Sequence, residues 1–371
     1  MLKIFVASYT TNICGGIIID KVLKAYPFYK DIIKIEKYGN GHINNTYIVE
    51  TDKEKYIVQE INTSVFLKPK KVMKNIKLIT NYIRKKNGRS LELVNSNRGK
   101  CLVKCGNCYF RCYKYIEDGI TYEDTDDYEK LYEAGRAVGE FQKQLINFPI
   151  NKIKITIPDF HNTWLRYKKL FSLINNNTRV NECVNEIRFV SARKIDIINY
   201  TNSLNKLPIR IVHNDTKLNN VMFEKTTDKA ICMIDLDTVM PGYLLFDYAD
   251  ALRVGASSAC EDEIDLDKVC FNEKLFMNFT QGFLEEVYYF LSDNEKELLY
   301  ESVRMMCLEC GIRFLTDYLE NDVYFKIKYK KHNLIRAKNQ FKLVRDLEKK
   351  QNIFLGIIKN CIEKVNLSIN I

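Results

Sequence analysis

The feature that most constrains this chain is a change of hydrophobic period near residue 116. Upstream of it, the segments DIIKIEKYG, NNTYIVET and KEKYIVQEI across residues 31–61 are short runs of β-branched and aromatic residues. Such runs pair as strands, with alternate side chains on opposite faces. Gly39-Asn40-Gly41-His42 separates the first two, and Asp52-Lys53 the second and third. Gly106-Asn107 then divides CLVKC from CYFRCYKYI, a two-residue hairpin signal. One helix is expected over 69–86, where Val72, Ile76, Ile79 and Ile83 recur at helical spacing behind Pro69. Downstream the period becomes helical. Leu131, Ala134, Val138, Phe141 and Leu145 share one face of a helix over 127–146. Residues 159–205 and the chain from 269 onward keep that pattern, interrupted by PIRIVHND and AICMIDLD between 208 and 237. These periods predict an α+β chain. A helical extension (1–30) precedes a small β-rich lobe (31–117), and a large helical lobe (118–371) follows.

Chemistry concentrates in the interruption. His213-Asn214-Asp215-Thr216-Lys217-Leu218-Asn219-Asn220 reads H-x-D-x-x-x-x-N, the spacing of a protein-kinase catalytic loop. Phosphoryl transfer needs a carboxylate for the proton of the acceptor hydroxyl, which suits Asp215. It also needs an amide oxygen about five residues on for a metal, which suits Asn220. Twenty residues after Asp215, the apolar run AICMI delivers Asp235, a second metal ligand, with Asp237 as an additional ligand or a supporting group. Magnesium is a hard cation that takes such oxygens together with those of ATP. Each piece alone has a plainer reading, since an HxD is a common hydrogen-bonded turn and an Asp after a strand often caps a helix. Their order and spacing, at the start of a helical lobe, favour the kinase. The outline of the chain agrees, a bilobal protein-kinase-like fold. Gly39-Asn40-Gly41 is a glycine turn whose backbone can approach phosphates. Tyr115–Asp118 sits where an interlobe hinge would meet adenine. The chain has no GxxxxGK[ST], which disfavours a P-loop enzyme.

Composition excludes other classes. The net charge of +10 raises the question of nucleic acid. The lysines are scattered among acids, however, and no nucleic-acid-reading motif occurs. Twelve cysteines without a clear leader argue for a reducing cytoplasm. Cys105 and Cys108 have zinc-like CxxC spacing, yet they flank the predicted hairpin turn, where small apolar residues fit. Cys307 and Cys310, one helical turn apart, read as core. No apolar run reaches the ~18 residues that span a bilayer.

The strings YGNGHINNTYIV (38–49), YIVQEINTSVF (56–66), HNDTKLNNVMF (213–223), IDLDTVMPGYLLFDYADALRVGAS (234–257) and GIRFLTDYLENDVYFKIKYKKHNLIRAKNQFKLV (311–344) carry a more specific likeness. Over residues 30–350 the chain resembles the aminoglycoside phosphotransferase and choline kinase superfamily, and within it the N-acetylhexosamine 1-kinases. That resemblance implies magnesium- and ATP-dependent phosphorylation of the anomeric hydroxyl of GlcNAc or GalNAc; a monomer or weak dimer is expected. It implies Asp215 as base and Asn220 and Asp235 as magnesium ligands. His42, Arg313 and Tyr324, with Asp215, would line the sugar site. Gly39, Asn40, Gly41, Thr46, Gln59, Tyr115 and Glu117 would line the nucleotide site. Plainer roles exist: His42 stabilising its turn, Arg313 paired with Asp317, and Tyr324 as core.

One departure stands out. The strand expected to end in a phosphate-binding lysine reads Tyr56-Ile57-Val58-Gln59-Glu60. The N-acetylhexosamine 1-kinases share the Gln, so the resemblance reads it as a subfamily trait. Competing readings are a kinase for choline, an aminoglycoside or another hexose, and a non-catalytic nucleotide-binding module. A cationic acceptor would call for acids, which residues around Asp247 and Asp250 could supply.

Overall fold

The structure, a computed structural model, describes residues 13–39, 43–175 and 177–369. The chain divides into two compact units. The first takes the chain up to Gly119 with Asn151–Ile157 and Ile234–Met240, and the second takes Ile120–Ile150, Pro158–Met233 and Pro241–Ile371.

The first unit is built on an antiparallel sheet. Its strands are β1 (Ile32–Lys37), β2 (Asn45–Thr51), β3 (Lys55–Ile61), β4 (Val103–Cys105) and β5 (Cys108–Lys114), in the order β1-β2-β3-β5-β4. The period-two pattern of residues 31–61 thus becomes three consecutive strands. Gly106, at φ 60°, turns the β4–β5 hairpin, with Cys105 paired to Cys108. That backbone conformation suits a residue without Cβ. Alternation gives the sheet two different faces. Val49, Val58, Phe110 and Cys112 point into a core that Ile19, Val22 and Leu23 of α1 (Ile13–Leu23), with Tyr26 and Phe28, complete. Phe28 stacks on Tyr56 at 3.9 Å between centroids. On the opposite face, register places Thr46 beside Gln59 and Gln59 beside Arg111, a polar row across three strands.

The helix expected at 69–86 is α2 (Pro69–Lys85), with Val72, Ile76, Ile79 and Ile83 buried. Its buried Asn75 explains how distant segments join this unit. The Asn75 amide donates to the carbonyls of Val239, at 3.0 Å, and Lys154, at 2.7 Å. Its oxygen accepts from the Lys154 N–H at 2.9 Å.

The second unit is mainly helical. Asp127 caps α3 (Tyr128–Leu145) by accepting from the N–H groups of Glu129 and Lys130. This helix packs against helix Glu273–Val287 with almost no gap: a Cβ at Gly135 would meet the Phe279 carbonyl oxygen at 2.2 Å, and one at Gly282 the Tyr132 carbonyl oxygen at 2.2 Å. Helix Leu299–Leu319 is buried nearly all round, with Cys307 and Cys310 at 0% and 7% exposure, which makes them core residues. Strand Arg210–Val212 leads into the H-x-D loop, and strands Val221–Glu224 and Ala230–Met233 pair as a hairpin beyond it. Among the described residues, no helix is long and apolar enough to cross a membrane.

Candidate active site

The H-x-D loop is held from beneath by one carboxylate. Asp247, fully buried in helix Leu244–Gly255, accepts the backbone N–H of His213 at 2.9 Å and of Asn214 at 2.7 Å, and the Gln142 amide at 2.5 Å. The Thr216 hydroxyl donates to the Asp247 carbonyl at 2.6 Å, and the Thr216 N–H donates to Asp250 at 3.2 Å. These bonds support Asn214 at φ 66°, a sparsely used conformation that must be held in place. Burial pushes the Asp247 carboxyl up, and its hydrogen bonds only partly offset that.

Asp215 stands at the turn so formed, with a quarter of its side chain exposed. Lys217 lies 3.0 Å from its Oδ1, and the Asn220 amide nitrogen donates to its Oδ2 at 3.0 Å and to its carbonyl at 2.8 Å. Burial would raise this carboxyl, but the Lys217 charge and the two side-chain hydrogen bonds outweigh it and hold Asp215 below the usual aspartate value. The Asn220 oxygen, the atom a hard cation takes, is not used in these bonds. Asp215 and Asn220 are therefore adjacent in the second unit, as their spacing implies.

Asp235 belongs to the first unit. It sits at φ 54°, ψ 57° and opens the turn Leu236–Thr238. Asp237, which the spacing left as an additional ligand or a supporting group, is 2% exposed and is gripped by the Arg111 guanidinium through both oxygens. Asn44 donates to it as well, at 2.8 Å. Burial opposes the Arg111 charge, but Asp237 and, more weakly, Asp235 hold it above the usual arginine value. Among the described residues, no group of three or more His, Cys, Asp or Glu side chains forms a metal cage. Magnesium, which keeps waters and phosphate oxygens, suits one or two protein oxygens better than such a cage.

Of the residues expected at the nucleotide, Asn40 and Gly41, with His42 of the sugar set, lie outside the described residues. Gly39 has φ 74° and follows Tyr38, whose N–H bonds to the Thr46 carbonyl at 2.9 Å. Thr46 accepts from the Gln59 amide at 3.0 Å. Tyr115 donates its N–H to the Lys55 carbonyl at 2.9 Å, and Lys55 lies 3.9 Å from Glu117.

Arg313 and Tyr324 fall in the second unit. Arg313 has no hydrogen bond or ion pair among the described residues, and its guanidinium lies 5.7 Å from the Phe160 ring centroid and 5.6 Å from that of Phe325. The Asp317 carboxylate is occupied elsewhere: it accepts the N–H groups of Tyr324, at 2.7 Å, and Phe325, at 2.9 Å, and the Asn333 amide. Asp317 thus shapes the Tyr324 loop instead of pairing with Arg313. Tyr324 is 61% exposed, which rules out a core role. A chain of contacts ties this region to the loop. His161 bonds Glu309 at 3.0 Å and the Asn214 carbonyl at 3.3 Å, and its ring meets that of Phe160 at 4.7 Å. Motif reading passes over His161, Glu309, Lys217 and Arg111, and it raises Asp247 only as a neighbour of acids for a cationic acceptor. Only Lys217, two residues from Asp215, carried a local signal.

The model of the APH family, described as "Phosphotransferase enzyme family", matches residues 34–267. Several solved structures are similar. A microcompartment-associated aminopropanol kinase aligns with a TM-score of 0.62 at 12% identity, over 90% of this chain and 98% of its own. An amicoumacin kinase in complex with AMP-PNP, Ca2+ and Ami aligns at 0.59 and 14%, over 91% and 94%. A Plasmodium vivax ethanolamine kinase aligns at 0.57 and 14%, over 90% and 91%. At such identities the likeness is one of fold. The fold is kinase-like, with a small antiparallel-sheet lobe and a helical lobe.

Proposed function

We propose, on the premise that this chain belongs to the phosphotransferase enzyme family, that it phosphorylates the anomeric C1 hydroxyl of N-acetylhexosamines, using ATP and magnesium. The observation that carries the reading is Asp215, an ionised, partly exposed carboxylate at the tip of a rigid loop, beside Lys217 and Asn220. Asp215 orients the C1 hydroxyl and accepts its proton as the oxygen–phosphorus bond forms and the β–γ bridging bond breaks. Orientation is its larger contribution and proton transfer comes late, as suits a loose transition state. Lys217 keeps the carboxylate ionised until that transfer. Asn220 and Asp235 are the residues that would hold magnesium, whose charge offsets that of the phosphates. Gly39, Thr46, Gln59, Tyr115 and Glu117 are assigned to the nucleotide side, in residues 31–117, and the acceptor to 118–371.

Arg313 and Tyr324 support a neutral, hydroxyl-rich acceptor, with guanidinium donors and a flat exposed ring. A cationic acceptor would want acids without partners. Asp247 and Asp250 are both buried, Asp247 is committed to the loop, and Asp250 and Glu261 both pair with Arg253. That commitment argues against choline or an aminoglycoside. Free thiols at the described cysteines suit a reducing cytoplasm.

A screen of ADP release over free hexosamines, hexoses, choline and aminoglycosides tests the acceptor class. Activity is expected on GlcNAc or GalNAc at least about 100-fold above that on choline, a difference of roughly 3 kcal/mol in transition-state binding. Activity on choline alone would overturn it.

A further inference from the structure

At the place where other kinases set a phosphate-binding lysine, β3 carries Gln59, and both ends of its amide are committed. Its nitrogen donates to the Thr46 hydroxyl at 3.0 Å, and its oxygen accepts from Arg111 Nε at 2.9 Å. Arg111 is 1% exposed, and its two terminal nitrogens fork onto Asp237, Nη2 at 3.0 Å from Oδ2. Asp237 lies two residues beyond Asp235, in the turn that Asp235 opens from the left-handed region. One guanidinium therefore ties the polar row of the sheet to the segment that carries Asp235, all within the first unit.

We infer that Arg111 is a positioning residue, which fixes the Asp235 turn through its fork on Asp237. This rests on the function proposed above. A lysine could not take the place of Arg111, because a single ammonium cannot span both oxygens of Asp237 and still donate to Gln59. The charge of Arg111 is matched by that of Asp237, so the pair presents no net charge to a phosphate. Compensation of the phosphates then falls to magnesium, and nucleotide binding is steeply metal-dependent. Gln59 follows from the same arrangement, since a lysine there would face the Arg111 cation directly.

The test is calorimetric titration of the full chain with AMP-PNP, once with MgCl2 and once with EDTA. Arg111→Lys keeps the charge but loses the fork. The double variant Arg111→Met/Asp237→Leu removes the pair together, so that no unpaired charge remains buried. Both are expected to lose about tenfold or more of the magnesium-linked affinity, as when groups supporting a metal ligand are altered. Affinity in EDTA and the melting temperature should stay close to wild type in at least one of them. Wild-type magnesium-linked affinity in either folded variant would overturn the inference. So would a uniform loss, with and without metal, that tracks a lowered melting temperature in both, because that is a purely structural role. Wild-type protein without any magnesium-linked binding would instead overturn the functional reading, and the inference with it.

Discussion

At the scale of single residues, the site depends on how two carboxylates are set apart. Both carboxylates are opposed by burial: at Asp247 burial prevails over its hydrogen bonds, whereas at Asp215 the Lys217 charge and the hydrogen bonds together outweigh it. A depressed Asp215 stays ionised above the ordinary aspartate value of about 3.9, so the acid limb of turnover should lie below about pH 4. Removing the cation reverses the balance. Lys217→Met leaves burial as the main influence, and the limb in a kcat/KM–pH profile is expected to move to higher pH. An unmoved limb would show that Lys217 does not govern Asp215. The closeness of Asp215 and Asn220 was legible in the H-x-D-x-x-x-x-N spacing because one loop carries both, and local geometry leaves a local pattern. Arg111 and His161 were not legible. Arg111 meets Asp237 across 126 residues and His161 meets Glu309 across 148, and nothing near either residue announces its partner.

At the scale of elements, period carried most of the information. The strands over 31–61, the hairpin at Gly106-Asn107 and the helices over 69–86 and 127–146 follow from alternation, turn residues and apolar stripes. Sequence could not give the order β1-β2-β3-β5-β4, in which the hairpin joins the meander through its second strand. Nor could it give the approach of α3 to helix Glu273–Val287. Gly135 and Gly282 look like weak points in good helices, but each marks a place where the other helix's backbone would touch a Cβ. Gly282→Ala is predicted to destabilise the protein by about 1–3 kcal/mol in urea unfolding, because a backbone carbonyl, and not a flexible side chain, has to give way. A neutral or stabilising result, as helix propensity alone would give, would contradict that packing.

For the whole molecule, the contiguous lobes that a reading of period suggests are refined by contacts between distant segments. Ile234–Met240, with Asp235, belongs to the strand-rich unit, fastened by Asn75 and Arg111, whereas Asp215 and Asn220 belong to the helical one. That Asp215 and Asp235, the proposed base and the proposed metal ligand, belong to separate units was hidden in the sequence, because both follow short strands in the same stretch of chain. The net charge of +10 said little beyond favouring anionic substrates such as ATP. The account as a whole turns on which oxygen receives the phosphoryl group. The most direct measurement is 31P NMR of the product formed from N-acetylhexosamine, ATP and magnesium, with Asp215→Asn as the control. The account predicts a phosphorus signal split by the anomeric proton, no remaining reducing end on the product, and a signal from Asp215→Asn that grows about 100-fold more slowly or worse. Phosphorus coupled to the C6 protons, or a normal rate from Asp215→Asn, would contradict it.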